Sequence, residues 1–412
     1  MRKFLLAGAA FAAAAAYMPT TAHAQDSSGG TSPVTVYIGG RMFVGVFLEH
    51  STGQNSGTNK YSTAAYPNYM RLYPSADYAA PNGVHYGFSA ELRSWNSSTG
   101  SGGTRYGQPT GNLYWEHAYG YVSSAQAGKL EFGTPETLLA ITEVGDGSDI
   151  GTGGYDGEYG WSGTNGSPKW LFPDNAEGRV AIQYYSPSFA GFSAAVGYTP
   201  NDDNSLDGSN ITSTSDSTSI KAGKTHNMVN GAISYGGTFG PVGVKAEVGG
   251  LYSGYVNETW AGAVQSQDQT MLDAGLAITY AGITFGGHID AGKFGPSQEP
   301  LPKGAKTTVV AAANVQYTLP NPRIPLTFGG GWYHYDLDAS QYTMADGNAG
   351  TAGKRVKFNG AAVGATYKLV PGVTLFLDAL WGEQKAPASE ELADGHNKVT
   401  STGLGIGTYF QW

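Results

Sequence analysis

Between Thr134 and Gly178 the chain sets eight carboxylates, Glu136, Glu143, Asp146, Asp149, Asp156, Glu158, Asp174 and Glu177, against one base, Lys169. The chemistry available to such a run is that of a field. Confined in a narrow channel with low-dielectric walls, these charges focus a negative potential and raise the local cation concentration; on an open surface the same run is a solvated loop. The segment also carries Leu138, Leu139, Ile141, Trp161, Trp170, Leu171 and Phe172, which need a surface to pack against, so it is expected to fold inward. Glu143, Asp146, Asp149, Asp156 and Glu158 are then the candidate acids of the narrow point.

Other chemistries lack their residues. With no cysteine in the chain, disulfides, thiol catalysis and thiolate metal sites are excluded. Gly160-Trp161-Ser162-Gly163 misses the register of a nucleophile elbow. Gly403-Leu404-Gly405-Ile406-Gly407 has the glycines of a nucleotide turn but no room for the helix that must follow. Asp203-Asn204-Ser205-Leu206-Asp207-Gly208 begins like a calcium loop, yet Thr214 stands where a bidentate Glu belongs. The eight histidines include no pair at helical spacing near a carboxylate. No catalytic group, cofactor or metal site is expected.

The elements that must hold such a loop read as strands. From Val34 onward Val34, Val36, Ile38, Met42, Val44, Val46 and Leu48 fall on one face, and Arg41 and Glu49 on the other. From Val84 to Trp95, Val84, Tyr86, Phe88, Ala90 and Leu92 point one way, Glu91 and Arg93 the opposite way. A charge facing lipid near the bilayer midplane costs about 2–4 kcal/mol, so this segregation suits a membrane-spanning barrel. Beyond the first residues no apolar run approaches a spanning helix, while 62 Gly and 27 Tyr are unusual for a soluble enzyme. Arg2 and Lys3, the apolar stretch Phe4 to Met18 and Ala22-His23-Ala24 have the order of an export signal covering 1–24, leaving 25–412 as one barrel domain. Without Arg2 and Lys3, 21 basic side chains face 32 acidic ones, a net charge of −11 that disfavours nucleic acid.

Sixteen candidate strands follow, joined alternately by tight turns and long polar loops. Pro81-Asn82-Gly83, a hairpin around Ser188, Gly236-Gly237 with Gly240-Pro241, Ala281-Gly282 and Pro371-Gly372 read as turns; 50–67, 96–112, 200–225, 338–353 and 386–396 read as loops. Short connections on one side and long ones on the other are an outer-membrane pattern that a β-sandwich has no reason to show. The fold class is therefore all-β, a transmembrane antiparallel β-barrel of 16 strands with an inward constriction loop. Its last strand should pair with the first and leave no edge. Trp95, Trp115, Tyr119, Tyr121 and Trp412 are expected in the aromatic girdles.

In order and spacing, the chain resembles the general porins of Gram-negative bacteria. The resemblance rests on Tyr69-Met70-Arg71-Leu72 leading to Asn82-Gly83-Val84-His85-Tyr86-Gly87, on Trp115 to Phe132 ending in Gly128-Lys129-Leu130-Glu131-Phe132-Gly133, and on Gly178-Arg179-Val180 through Phe192. It implies a homotrimer in the outer membrane, in contact with its lipids, whose loop Thr134–Gly178 narrows the pore. Arg71 and Arg179 resemble family wall arginines that would set a transverse field against the loop, with Arg41 and Arg93 added by alternation. Glu116 or His117 stands at one position where the family has a base. The family's terminal residue is usually Phe, read by the barrel-assembly machinery; here Trp412 takes that place, beside Phe410.

The expected function is passive diffusion of ions and small hydrophilic solutes, with a preference for cations and no enzymatic step. An anion channel would need a lysine or arginine ladder. A sugar channel would show an aromatic track, for which Tyr155, Tyr159, Trp161 and Trp170 are available. A secreted β-rich adhesin or enzyme would be soluble without detergent, and no catalytic group of the required geometry can be named for it.

Overall fold

The structure, a computed structural model, describes residues 34–412 apart from 53–62, 95–112, 148–149, 155–156, 158–178, 202–223, 258–264, 296–300, 322–323, 342–348, 390 and 393–395. The export signal at 1–24, Trp95, the calcium-like segment 203–208 and the aromatic residues Tyr155, Tyr159, Trp161 and Trp170 lie outside the described residues.

Seventeen strands form one sheet: β1 (Val34–Ser51), β2 (Ala64–Ala65), β3 (Asn68–Ala79), β4 (His85–Ser94), β5 (Leu113–Ser124), β6 (Gly128–Thr134), β7 (Ala181–Tyr185), β8 (Phe192–Asn201), β9 (Lys224–Phe239), β10 (Val242–Val256), β11 (Gln269–Tyr280), β12 (Ile283–Lys293), β13 (Thr308–Thr318), β14 (Leu326–Asp338), β15 (Arg355–Val370), β16 (Val373–Lys385) and β17 (Lys398–Gln411). β2 is a two-residue piece that pairs with the same strand as β3, so the barrel has sixteen full strands. Each pairs antiparallel with its neighbours in sequence, and β1 pairs with β17 from Arg41↔Gln411 to Ser51↔Ser401. The sheet is closed, and every inner strand spends its backbone donors and acceptors within the ring.

The tight turns are set by backbone chemistry. Ala281 and Gly282 both have positive φ (48° and 83°) between the paired residues Tyr280 and Ile283, the two-residue turn whose twist matches a hairpin. Ala190 and Gly191 (50° and 87°) do the same between Phe189 and Phe192, so the hairpin expected around Ser188 turns two residues later. Gly236 and Gly237 are strand residues of β9, and the turn there is Gly240-Pro241 alone. A Cβ at Gly237 would run into the Tyr235 hydroxyl, whereas at Gly236 it would meet open space.

Burial follows a period of two. On β1, Ile38, Met42, Val44, Val46 and Leu48 are exposed on the outside, while Arg41, Phe43, Phe47 and Glu49 are buried inside. The same outer band is apolar around the rest of the ring, where Ile233, Val248, Leu272, Phe285, Val363, Leu377 and Ile406 are exposed. In water so wide an apolar surface would aggregate; against hydrocarbon it is what a barrel requires. Among the described residues no helix is long and apolar enough to span a membrane, which is immaterial to a barrel that spans with strands.

Candidate functional site

After β6 the chain turns into the barrel. A short helix, α1 (Leu138–Thr142), packs Leu138 and Leu139 with no exposure against Met228, Ala232 and Leu251 of β9 and β10. The wall makes room for it: a Cβ on Gly249 would come within 2.9 Å of Leu139 Cδ2. The loop is then pinned across half the ring. Gln183 of β7 donates to the Glu136 carbonyl (3.1 Å), and Asn314 of β13 to that of Gly145 (2.6 Å). His288 Nδ1 of β12 lies 3.2 Å from the Val144 carbonyl. The Thr366 hydroxyl of β15 reaches Gly151 O (3.3 Å), and the Thr152 amide donates to both oxygens of Asp378 on β16 (3.1 and 3.0 Å). Residues 135–147 and 150–154 thus lie across the inside of the barrel, with partners from β7 to β16.

Of the five candidate loop acids, Glu143 and Asp146 are inside and buried (7% and 4% exposed); Asp149, Asp156 and Glu158 lie outside the described residues. Glu136 precedes the helix. Burial, reinforced by the negative field of Glu91, pushes its carboxyl above the ordinary value.

Across from the loop, register stacks three arginines at one level. Arg41 of β1 is directly opposite Arg71 of β3, which is directly opposite Arg93 of β4. Like charges in such a row repel, and Glu91 offsets them: Arg71 Nη1 is 3.2 Å and Arg93 Nε 2.5 Å from its Oε1. Arg93 also reaches Glu116 at 2.8 Å. The guanidinium carbon of Arg41 sits 4.7 Å from the ring centre of Tyr409 and 5.4 Å from that of Tyr69; Arg71 lies 4.6 Å from Tyr69. Arg179 stands apart from the row, just before β7, donating to the Met228 sulfur at 3.5 Å.

A bulge explains how Glu116 and His117 coexist. Leu92 pairs with Trp115 and Glu91 with His117, so Glu116 is the extra residue and both side chains turn inside, 8% and 5% exposed. A strict period of two would have put them on opposite faces. The same shift carries Tyr121 inward, where its hydroxyl donates to Asp77 (2.6 Å), and Tyr119 with it, its ring 5.6 Å from Lys129 Nζ; neither belongs to the girdle. Trp115 and Trp412 are exposed on the outer face. Phe410 is likewise exposed, and the Trp412 backbone exchanges hydrogen bonds with Gly40 (3.0 and 3.1 Å).

Sequence reasoning missed one group entirely: Glu247, Asp273, His288 and Asp290, all buried on the inner face of β10–β12. Isolated ionisable residues at inward positions of apolar, glycine-rich strands were the available signal. Helical spacing was the wrong template, because these residues meet across strands.

The comparisons with known proteins come to the same architecture. A sequence model described as Gram-negative porin matches residues 9–386. The anion-selective porin from Comamonas acidovorans superposes with a TM-score of 0.55 at 14% identity, over 92% of this chain and 100% of its own. OmpF of Salmonella typhi, solved with daunomycin, gives 0.55 at 12%, over 92% and 98%. OmpT of Vibrio cholerae gives 0.54 at 13%, over 94% and 100%. No curated protein matches the sequence significantly. At these identities the structures speak for the fold alone, but the sequence match spans most of the chain. With a closed sixteen-strand ring, an apolar outer band and a loop folded across the inside, the chain belongs to the Gram-negative porin family, outer-membrane barrels through which small molecules diffuse.

Proposed function

We propose that this porin conducts ions and small hydrophilic solutes with a preference for cations. One observation carries the reading: among the described residues ten carboxylates are buried on the inner face of the barrel or on the inward loop, against three guanidiniums. An enclosed excess of negative charge attracts cations and repels anions in a water-filled pore. The Comamonas acidovorans protein of the same fold is anion-selective, so fold does not decide sign and the balance of lumen charge must. Glu143 and Asp146, with Asp149, Asp156 and Glu158, are assigned as the acids of the constriction, and Arg41, Arg71, Arg93, Arg179 and Glu116 as its wall. The test is single-channel conductance and reversal potential in a planar bilayer with Glu143, Asp146 and Asp149 neutralised singly and together. A fall in the cation-to-anion permeability ratio is expected; an unchanged ratio refutes the assignment.

The same reading extends to assembly. Residues 1–24 act as the export signal, Phe410 and Trp412 present the strand end to the barrel-assembly machinery, and the working unit is a homotrimer. A trimer form has been solved for the Vibrio cholerae OmpT protein. Crosslinking in intact membranes tests the subunit count, and a Phe410→Ser variant that reaches the outer membrane in normal amount would remove the assembly role.

A further inference from the structure

On the inner face of β10–β12, under the root of the loop, three carboxylates and an imidazole converge. Glu247, Asp273, His288 and Asp290 are each at most 3% exposed. Register brings them together. Asp273 is directly opposite Asp290, while Glu247 and His288 flank Gly275 from either side. That glycine has no side chain to part them, and the Val144 carbonyl closes over it.

The two ring nitrogens face different surroundings. Nδ1 is 3.2 Å from the Val144 carbonyl and 3.4 Å from Glu247 Oε1. Nε2 is 3.7 Å from Asp273 Oδ2 and 3.5 Å from Asp290 Oδ2. The Nε2 separations are at or beyond the limit of a hydrogen bond. They are close to the edge of a tetrahedron of donors around one cation, about 3.4 Å for bonds of about 2.1 Å. A proton on Nδ1, donated to Val144, leaves the Nε2 lone pair turned to both aspartates. This is how a metal-bound histidine is held by its outer partner. One donor atom each from Glu247, Asp273 and His288 lie within 4.8 Å of one another.

Charge points the same way. Three buried carboxylates face at most one imidazolium, and both oxygens of Glu247, Asp273 and Asp290 lack a hydrogen-bond donor. Among the described residues no Lys or Arg pairs with them. Buried carboxylates are costly unless paired or bound to metal.

We propose that Glu247, Asp273, His288 and Asp290 bind one divalent cation of the first transition row, with His288 Nε2 and the two aspartates as ligands and Glu247 completing the set. The imidazole favours zinc over calcium, and the three carboxylates also admit manganese. Because the same ring contacts Val144, the bound ion fixes the root of the loop to the wall. This site is independent of the diffusion reading, since a porin of either selectivity could hold it.

The test is to strip the folded chain in detergent with a chelator, equilibrate it with micromolar Zn²⁺ or Mn²⁺, and count metal by mass spectrometry. About one ion per chain is expected, falling at least tenfold in an Asp273→Asn, Asp290→Asn double variant whose folding is verified by heat-modifiable gel mobility. Less than about a tenth of an ion per wild-type chain, or full content in the folded double variant, overturns the proposal. Should the double variant not fold, Co²⁺ added to the wild-type protein decides. An intense visible spectrum of low coordination, bleached by Zn²⁺, supports the site; the pale spectrum of the hydrated ion refutes it.

Discussion

Glu91 holds the arginine row together, and Glu91→Gln would show how much depends on it. The amide keeps the shape and removes the charge that Arg71 and Arg93 approach at 3.2 and 2.5 Å. All three groups are nearly buried, with side chains 8–11% exposed, so solvent screens little of the loss. Removing one partner from a buried pair costs about 3–5 kcal/mol, because the other charge stays behind. Arg71 would lose this carboxylate, and Arg93 would keep Glu116 at 2.8 Å. In urea unfolding from lipid vesicles the midpoint should drop by on the order of 1 M. The interior would also become one charge more positive. For an ion about 8 Å away in water, one unit charge is worth about 0.5 kcal/mol, of opposite sign for cation and anion. The permeability ratio should therefore move toward anions by about fivefold before screening and roughly twofold in physiological salt. Pairing Glu91→Gln with Arg93→Met should recover much of the stability, since both ends of the pair are then gone. A Glu91→Gln barrel of unchanged stability and selectivity would refute the view that this carboxylate balances the row.

Further outcomes follow from the loop's attachments. Asp378→Ala removes the acceptor of the Thr152 amide; a charge-assisted bond of about 1.5–3 kcal/mol is lost, and single-channel records should show new closures or noise absent from the parent. Gly275→Ala would push a methyl group into the Val144 carbonyl, costing about 1–3 kcal/mol of stability and shifting conductance, as unfolding and bilayer traces would report. Glu136, its carboxyl raised by burial, binds a proton more tightly folded than unfolded. Its stabilising contribution is complete below the ordinary carboxylate range and is lost as pH rises through the raised value; Glu136→Gln should flatten that decline in an unfolding series from acid to neutral pH.

The ring itself was legible in the sequence because hydrocarbon and water impose opposite demands on alternate residues. Val44 and Leu48 against Arg41 and Glu49 declare their faces without help from the rest of the chain. Turn sites were legible to within a few residues, since Ala281-Gly282 and Pro371-Gly372 are the chemistry that tight hairpins need. What stayed hidden depends on register. The bulge at Glu116 adds a single residue and reverses the faces of everything after it on β5, which is why Tyr119 and Tyr121 were misplaced. The level stacking of Arg41, Arg71 and Arg93, and the meeting of Asp273 with Asp290, are set by how far neighbouring strands slide, and loop lengths do not encode that distance.

The seam between β1 and β17 has a consequence for how the molecule comes into being. Eleven residue pairs join segments that lie at opposite ends of the described chain, from Arg41↔Gln411 to Ser51↔Ser401. Until the last strand arrives the first has an open flank, and contacts of such long sequence range form slowly. A nascent chain must therefore be shielded from partners of its own kind until the hoop is buckled. Once fastened, the hoop offers no loose end from which to fray, so its dismantling has to begin with a rupture along a seam.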